Sequence, residues 1–136
     1  MGSHRAISTR QLKQEITVLL KEDPFESGLE ELQRVAPRRA VNPLFSLLLD
    51  RDELLRWRAV TAMGAVVARL EEQNTESARV IMRRMLWMLN DESGGIGWGV
   101  PEAMGETLAR SPVLAREYAC MLISYCKEDG NYLEHP

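Results

Sequence analysis

The sequence predicts an all-α chain of about seven short helices, and three observations predict it. Helix start and stop signals are dense, apolar residues recur three and four positions apart, and no segment reads convincingly as a strand. A chain of 136 residues is long enough for one domain with a real hydrophobic core.

The first predicted helix has a complete start signal. Ser8 is placed to cap the helix while Gln11 reaches back to the Ser8 amide, and Ile7 can pack against Leu12 outside the first turn. Four apolar residues then share one face: Leu12, Ile16, Leu19 and Leu20. This spacing predicts an amphipathic helix.

A second helix is predicted directly afterwards. Asp23 is expected as its N-cap, with Pro24 at the first helical position and Glu26 closing a capping box. Pro37 is expected to stop it. Its apolar face is Phe25, Leu29, Leu32 and Ala36.

The three middle helices are predicted from periodicity. The third covers about 39–49, with Pro43 as a kink or a late start. The fourth runs from about 53 to 70 and the fifth from about 75 to 90. Their core-facing residues are Leu55, Ala59, Ala62, Val66 and Leu70 in the fourth, and Ala78, Met82, Met85 and Leu89 in the fifth.

Two further helices complete the prediction. Pro101 opens a sixth that ends near Arg110, and Ser111 with Pro112 caps a seventh. Asp129 and Gly130 form a plausible stop after it. The apolar stripe of the seventh helix is Leu114, Tyr118, Met121, Leu122 and Tyr125.

An internal repeat organises these helices. Asp50, Trp57 and the Ala-Met-Gly triplet at 62–64 recur 41 positions later as Asp91, Trp98 and 103–105. A period near 40 that contains two helices predicts a short right-handed α-solenoid of helical hairpins, in which each pair must stack on its neighbours. The predicted repeats are 8–37, 38–71, 74–110 and a partial 111–136.

The residues from Ala40 to Gly64 resemble a HEAT repeat of the bacterial kind familiar from phycobilisome-lyase-like proteins. The matching pattern is Ala40-Val41-Asn42-Pro43-Leu44, an aspartate-bearing turn, and a second helix with Arg56, two alanines and Gly64. The resemblance implies a HEAT-like solenoid. It also implies that Asp50 or Asp52, together with Arg56, ties neighbouring repeats together.

The following repeat departs from that pattern. Gly97 stands in place of the arginine and Pro101 in place of Val60, so 91–100 is predicted as an irregular loop. Its glycines precede a helix start, where backbone amides attract anions, but no P-loop or dinucleotide signature accompanies them. We therefore expect a turn that repositions Trp98 rather than a ligand site.

The last predicted repeat is incomplete. By the offset of 41, the helix that would follow the seventh begins near or just beyond position 136. A shortened chain, a natural half-repeat cap and an apolar edge completed by a second chain all fit this pattern. The third interpretation predicts self-association through the open edge, because repeat arrays normally close with a polar cap.

Composition limits the partner classes. Seventeen basic residues are offset by 20 acidic ones, for a net charge of −3, which argues against coating nucleic acid by bulk charge. Arginine is locally in excess at Arg34, Arg38, Arg39, Arg51, Arg56 and Arg58. The longest apolar runs are five and six residues, whereas a membrane span needs about 20.

Signs of catalysis are weak. Cys120 and Cys126 are expected as buried or half-buried free thiols, which suits the cytoplasm, and neither has a histidine base nearby. Glu102 and Glu106 share a helical face, yet no histidine is placed to complete a metal set. No cofactor or metal is predicted.

We therefore expect a non-catalytic scaffold that binds another protein along its second helices. The predicted contact residues are Trp57, Arg58, Trp98 and Glu102, although the small residues beside both tryptophans also favour packing between repeats. Two alternatives remain: a nucleic-acid-binding HEAT-like module, and an accessory or lyase-like protein for a chromophore or an enzyme.

Overall fold

The computed structural model describes residues 8–90 and 99–120, and within these ranges all regular secondary structure is helical. The all-α prediction is therefore confirmed. Residues 112–120 are also helical and are called α7 below. The other helices are α1 (Thr9–Leu20), α2 (Phe25–Leu32), α3 (Pro37–Leu47), α4 (Glu53–Gln73), α5 (Thr75–Asn90) and α6 (Val100–Arg110).

The start of α1 is confirmed in detail. The Gln11 backbone N–H donates to Ser8 Oγ at 3.1 Å, and the Ser8 backbone N–H donates to Gln11 Oε1 at 3.1 Å. This reciprocal pair satisfies donors that the first turn of a helix leaves open. The predicted inward residues Leu12, Ile16 and Leu20 are buried, while Ile7 lies outside the described residues.

The predicted cap of α2 is wrong. The helix begins at Phe25 with Pro24 as N-cap in an extended conformation, and no side chain caps it. Asp23 therefore lies one position too early to act as the N-cap. A cap residue normally reaches the amides two and three positions ahead of it.

Two prolines delimit α3 differently from the prediction. Pro37 occupies the first turn of α3, where a missing N–H leaves no bond unmade, so the helix begins two residues before the expected Arg39. It ends at Leu47 rather than near Leu49. Pro43 lies inside the helix and is buried, neither delaying its start nor ending it.

Helix α4 forms the centre of the described structure. Its predicted core face is confirmed, and six consecutive residues from 62 to 67 are all buried. Burial over consecutive positions means that neighbours cover this stretch of α4 on every side. It contacts α1, α2, α3, α5 and α6, and its most extensive contact is with α6.

The later helices follow the prediction closely. Helix α5 spans the predicted 75–90, and Ala78, Met82 and Met85 are fully buried. Helix α6 begins one residue before Pro101 and ends at Arg110. The Leu114 backbone N–H donates to Ser111 Oγ at 3.2 Å, so Ser111 caps α7 as expected. Residues 121–136 lie outside the described part, including Met121, Leu122 and Tyr125.

Helices α4 and α6 run in the same direction. Near the beginning of both, a Cβ at Gly99 would lie 3.2 Å from Val60 Cγ2. At the other end, the Ser111 hydroxyl donates to Glu71 Oε1 at 3.4 Å. Halfway, Gly64 lies against Glu106, and a Cβ there would come within 2.8 Å of the Glu106 Cβ.

The earlier helices pair in the same sense. Arg58 of α4 reaches the backbone of Glu22 just before α2, and Arg69 reaches Gln33 just after it, so α2 and α4 are parallel. Helices α3 and α5 are parallel for the same reason. Arg38, early in α3, bonds to Ser77, early in α5, and Asn42, later in α3, bonds to Arg84, later in α5.

Candidate functional site

The connection between α3 and α4 is held by the aspartates and the arginine that the sequence singles out. Asp52 Oδ1 accepts from the Leu55 backbone N–H at 3.1 Å and caps α4, while Asp50 Oδ1 accepts from the Asp52 N–H at 2.8 Å. Arg56 Nη1 donates to the Asp50 carbonyl oxygen at 2.9 Å. These bonds stabilise a single hairpin, and a role of the same residues between repeats stays a prediction.

Arg58 is the residue that joins α4 to the preceding hairpin. Its Nη1 donates to the carbonyl oxygens of Leu20 and Glu22 at 2.9 and 3.0 Å. Its guanidinium also lies over the Phe25 ring, 5.0 Å from the centroid. Carbonyls at a helix C-terminus carry partial negative charge, so Arg58 stabilises the end of α1. The sequence predicts it as a partner contact, and the structure places its guanidinium in this intramolecular role.

Trp57 lies beside this tie but points to solvent. Its side chain is 46% exposed, and Leu54, one turn earlier on the same helix, is 60% exposed. Large apolar side chains separated by three positions lie on one face of a helix. The cap at Asp52 and the anchor at Arg58 flank this pair, so the backbone that carries it is held at both ends.

The remaining predicted contact residues lie on the following repeat. Glu102 is exposed in the first turn of α6, whereas Trp98 lies outside the described residues. Glu106 does not join Glu102 in a carboxylate pair on solvent. Its alkyl chain packs on Gly64, and its carboxylate accepts from Arg110 Nε at 3.0 Å.

Several arginines of the predicted basic stretch have partners of their own. Arg34 pairs with Glu31 at 3.5 Å, Arg56 and Arg58 bind backbone carbonyls, and Arg38 donates to Ser77 Oγ at 2.8 Å. These contacts lie in the connections α1–α2, α2–α3 and α3–α4, and between helices α3 and α5. Arg56 and Arg58 are thus engaged with backbone carbonyls, whereas Arg34 and Arg38 are exposed.

An ion-pair network connects α5 with α7. Arg79 donates through Nε and Nη2 to both carboxylate oxygens of Glu117, at 2.9 and 2.7 Å. Hydrogen bonding from Arg79 holds the pKa of Glu117 below its usual value. Hydrogen bonds first from Arg83 and then from Arg79 lower the pKa of Glu76 in the same way. The Arg79–Glu117 pair thus joins α5 to α7 through charge.

Sequence analysis missed Trp87, the most exposed large apolar side chain of the described residues. It is 73% exposed and lies on α5, within an apolar run that reads as core. The helical period contained the signal, because Met82, Met85 and Leu89 define the inward face and position 87 lies opposite Met85. Trp87 stands beyond one end of a groove between α3 and α5 that is described below.

The thiol prediction is wrong for Cys120, which is exposed and free at the end of the described part of α7. Tyr118 is the last buried residue of the described part of α7, and position 120 lies on the outward side of that helix. Cys126 lies outside the described residues. In residues 8–90 and 99–120, no three His, Cys, Asp or Glu side chains are grouped as metal ligands would be.

Comparisons with protein families, with curated proteins and with solved structures found no match for this chain. A search of the helices in the described ranges found none that combines the length and the apolar character needed to cross a membrane.

Proposed function

We propose that this chain is a non-catalytic protein-binding scaffold built as a short right-handed α-solenoid of HEAT-like repeats. The parallel course of α2, α4 and α6 supports a stack, as does that of α3 and α5. In addition, hydrogen bonds between neighbouring hairpins join residues 34 to 42 positions apart. Contacts repeated at one sequence separation are typical of repeat arrays.

The observation that carries the function is the exposed pair Leu54 and Trp57 on a rigid second helix. Tryptophan is enriched among the few residues that dominate binding energy at protein interfaces. A partner that covers this pair removes apolar surface from water without first having to order the helix, because the caps and ties already hold it. Glu102, exposed on α6, extends the proposed surface onto the next parallel helix. Trp98 stays a predicted contact by its position in the sequence repeat.

Scaffold binding of this kind needs no reactive group. Its specificity would come from the fixed spacing of side chains that successive second helices present. The proposal includes self-association through the C-terminal edge of the array. Among the described residues near that edge, Pro101, Gly105 and Ala109 form an exposed stripe on α6.

The test is quantitative affinity capture from cell extract with three forms of the full chain: the wild type, Trp57→Ala and Val18→Ala. Val18 is a matched control because it is an exposed apolar residue on a different helix, α1. Proteins captured by the wild type and the control should be lost with Trp57→Ala, since truncating a central aromatic contact costs about 2 kcal/mol or more.

A change in stability must be separated from a change in binding. Because Trp57 is half exposed, Trp57→Ala should lower the free energy of unfolding by less than about 1 kcal/mol. Retained capture by a folded Trp57→Ala variant would contradict the proposal. Loss of helicity in that variant would instead assign Trp57 to the core.

A further inference from the structure

A groove of about 240 Å³ lies between the parallel helices α3 and α5. Val41, Leu70 and Ile81 form its apolar floor, and the first two are almost completely buried. Val80 stands on its rim and is 48% exposed. Each of three helices therefore contributes one floor residue: α3 gives Val41, α4 gives Leu70 and α5 gives Ile81. An apolar side chain can enter the groove without displacing a helix.

An arginine stands at each end of this groove. Arg38 donates to Ser77 Oγ at 2.8 Å, and Arg84 donates to Asn42 Oδ1 at 2.7 Å while lying over the Phe45 ring. Both partners are neutral, so neither contact neutralises a charge. A guanidinium has five N–H donors, and one hydrogen bond of this kind leaves most of them available.

Their neighbours on α5 are different. Arg79 and Arg83 form ion pairs with Glu76 or Glu117, whereas Arg38 and Arg84 form none with any carboxylate of residues 8–90 and 99–120. Within the same ranges, no acidic residue lines the groove. The groove therefore combines an apolar floor with two positive charges that the described chain does not balance.

The spacing of the two charges sets the size of the complementary group. Asn42, the partner of Arg84, lies one turn beyond Arg38 along α3. Arg84 itself lies two turns along α5 beyond Ser77, the partner of Arg38. At about 1.5 Å per residue, these intervals place the guanidinium groups roughly 6–10 Å apart. An extended peptide advances about 3.3 Å per residue, so carboxylates two or three residues apart span the groove.

Trp87 is exposed and lies one turn beyond Arg84 on α5, outside the lining of the groove. Residues 80, 84 and 87 share one face of α5, so the rim, the charge and the aromatic ring follow one another in a line. An arginine beside an exposed tryptophan is a residue combination enriched at the centres of protein interfaces. A ligand with a single carboxylate, such as a fatty acid, would leave one arginine and the tryptophan unused.

We propose that the groove between α3 and α5 binds a short extended segment of another protein that carries two carboxylates, two or three residues apart, with an apolar side chain between them. Charge complementarity selects this occupant: the two acids bind Arg38 and Arg84, and the apolar side chain covers the floor. This site lies between α3 and α5, and the proposal does not depend on the surface around Trp57 on α4.

The test starts from a random twelve-residue peptide display library selected on the full chain, with counter-selection on the Arg38→Gln, Arg84→Gln double variant. Enriched peptides should share two acids at the predicted spacing around an apolar residue. Enrichment of peptides without that pattern, or no enrichment above background, would overturn the proposal.

The affinity of a selected peptide is then measured by fluorescence anisotropy. Arg38→Gln and Arg84→Gln should each weaken binding about tenfold, because each removes a charged hydrogen bond. Arg34→Gln is the matched control: it removes the same charge from a side chain that is 79% exposed and paired with Glu31. An equal loss in the control would show a non-specific charge effect and contradict the site.

Reversing the charge on both the protein and the peptide separates a loss of pairing from a loss of folding. The Arg38→Glu variant should lose the acidic peptide and bind the version in which one acid is replaced by lysine. Failure of this rescue in a variant with an unchanged melting temperature would count against direct pairing. If Trp57→Ala weakens peptide binding as much as the groove variants do, the peptide binds near Trp57 on α4 and not in the groove. That result would contradict the groove proposal without contradicting the proposed function.

Two other occupants are included as competitors. Displacement of the peptide by laurate at similar concentration would favour a lipid ligand over a protein segment. Displacement by a synthetic peptide of residues 127–136, which contains acids around Tyr132 and Leu133, would favour the chain's own segment. Either result contradicts the proposed occupant, and binding that resists both competitors supports it.

Discussion

The triplets at 62–64 and 103–105 have the same sequence but different surroundings. Alanine and methionine are completely buried in both copies. The glycines differ: Gly64 is buried against Glu106 of α6, whereas Gly105 is exposed, with nothing described within 4 Å of a Cβ placed on it. Two of three positions therefore have the same environment, and the third does not.

The difference shows which neighbour determines each position. Successive residues of a helix point about 100° apart, so the three positions face three sides of it. The sides of alanine and methionine are covered in both repeats. The glycine side of α4 is covered by the following second helix, and no described helix covers that side of α6.

The connections between hairpins differ along the chain as well. At α4, Arg58 and Arg69 bind backbone carbonyls of earlier connections, and a carbonyl does not titrate. At α5, Arg79 binds the carboxylate of Glu117, which does. The junction of α5 with α7 thus includes a contact whose strength depends on pH.

The largest expected effect tests the shared part of the triplets. Met63→Ala and Met104→Ala should each lower the free energy of unfolding by about 2–5 kcal/mol, because both side chains are completely buried and truncation leaves a cavity. Urea denaturation followed by far-UV circular dichroism measures both. A loss below about 1 kcal/mol for Met104 alone would show that the later repeat is loosely packed and would break the equivalence of the two methionines.

Replacing glycine by alanine is expected to change the free energy of unfolding in opposite directions at the two copies. Gly64→Ala should lower the free energy of unfolding by about 1–3 kcal/mol, because its Cβ would collide with Glu106, including the backbone carbon 3.0 Å away. Gly105→Ala should raise it by about 0.5–1 kcal/mol, because alanine favours the helix and meets nothing described.

Thermal and urea melts of the two variants provide the measurement, and each variant is the control for the other. Destabilisation by Gly105→Ala would mean that the exposed side of α6 is covered in solution. The same variant should then change the molecular mass measured by light scattering if a second copy supplies the cover. A neutral Gly64→Ala would contradict the close contact between α4 and α6.

The smallest effect concerns acid sensitivity. Arg79 lowers the pKa of Glu117 in the folded protein, so the pair contributes stability above the ordinary carboxyl pKa of about 4.5, and this contribution is lost as the pH falls through the lowered pKa. Glu117→Gln should remove that part of the pH dependence and leave stability above pH 7 only slightly reduced.

Melting temperatures between pH 3 and pH 7 check this expectation. Glu26→Gln provides the control, since Glu26 is exposed in the first turn of α2, outside the ion-pair network. Parallel pH curves for the wild type and Glu117→Gln would show that the ion pair does not stabilise the junction of α5 with α7.

Local signals were sufficient for most helices. The Ser8 capping box, the inward stripe of α4 and the bounds of α5 follow from residues within one or two turns of each other, and all three are confirmed. The exception at α2 is also local. Pro24 took the cap position in an extended conformation, which the spacing of Asp23 and Glu26 did not reveal.

The candidate site depended on contacts that periodicity does not describe. Arg58 binds carbonyl groups 36 and 38 residues earlier, which no local pattern indicates, and its contact with a partner stays a prediction. The groove with Arg38 and Arg84 arises because α3 and α5 come together above Leu70 of α4. Each of these arrangements depends on how distant helices are placed relative to one another.

The sequence by itself determined the number, order and inward faces of the helices in the described ranges, because capping and helical periodicity act over a few residues. Only the tertiary structure decided which of two identical glycines is buried, which arginines bind backbone carbonyls and which two line the groove between α3 and α5. The physical reason is that burial and charge compensation are set by neighbours about 40 residues away, whose distance and angle no local pattern specifies.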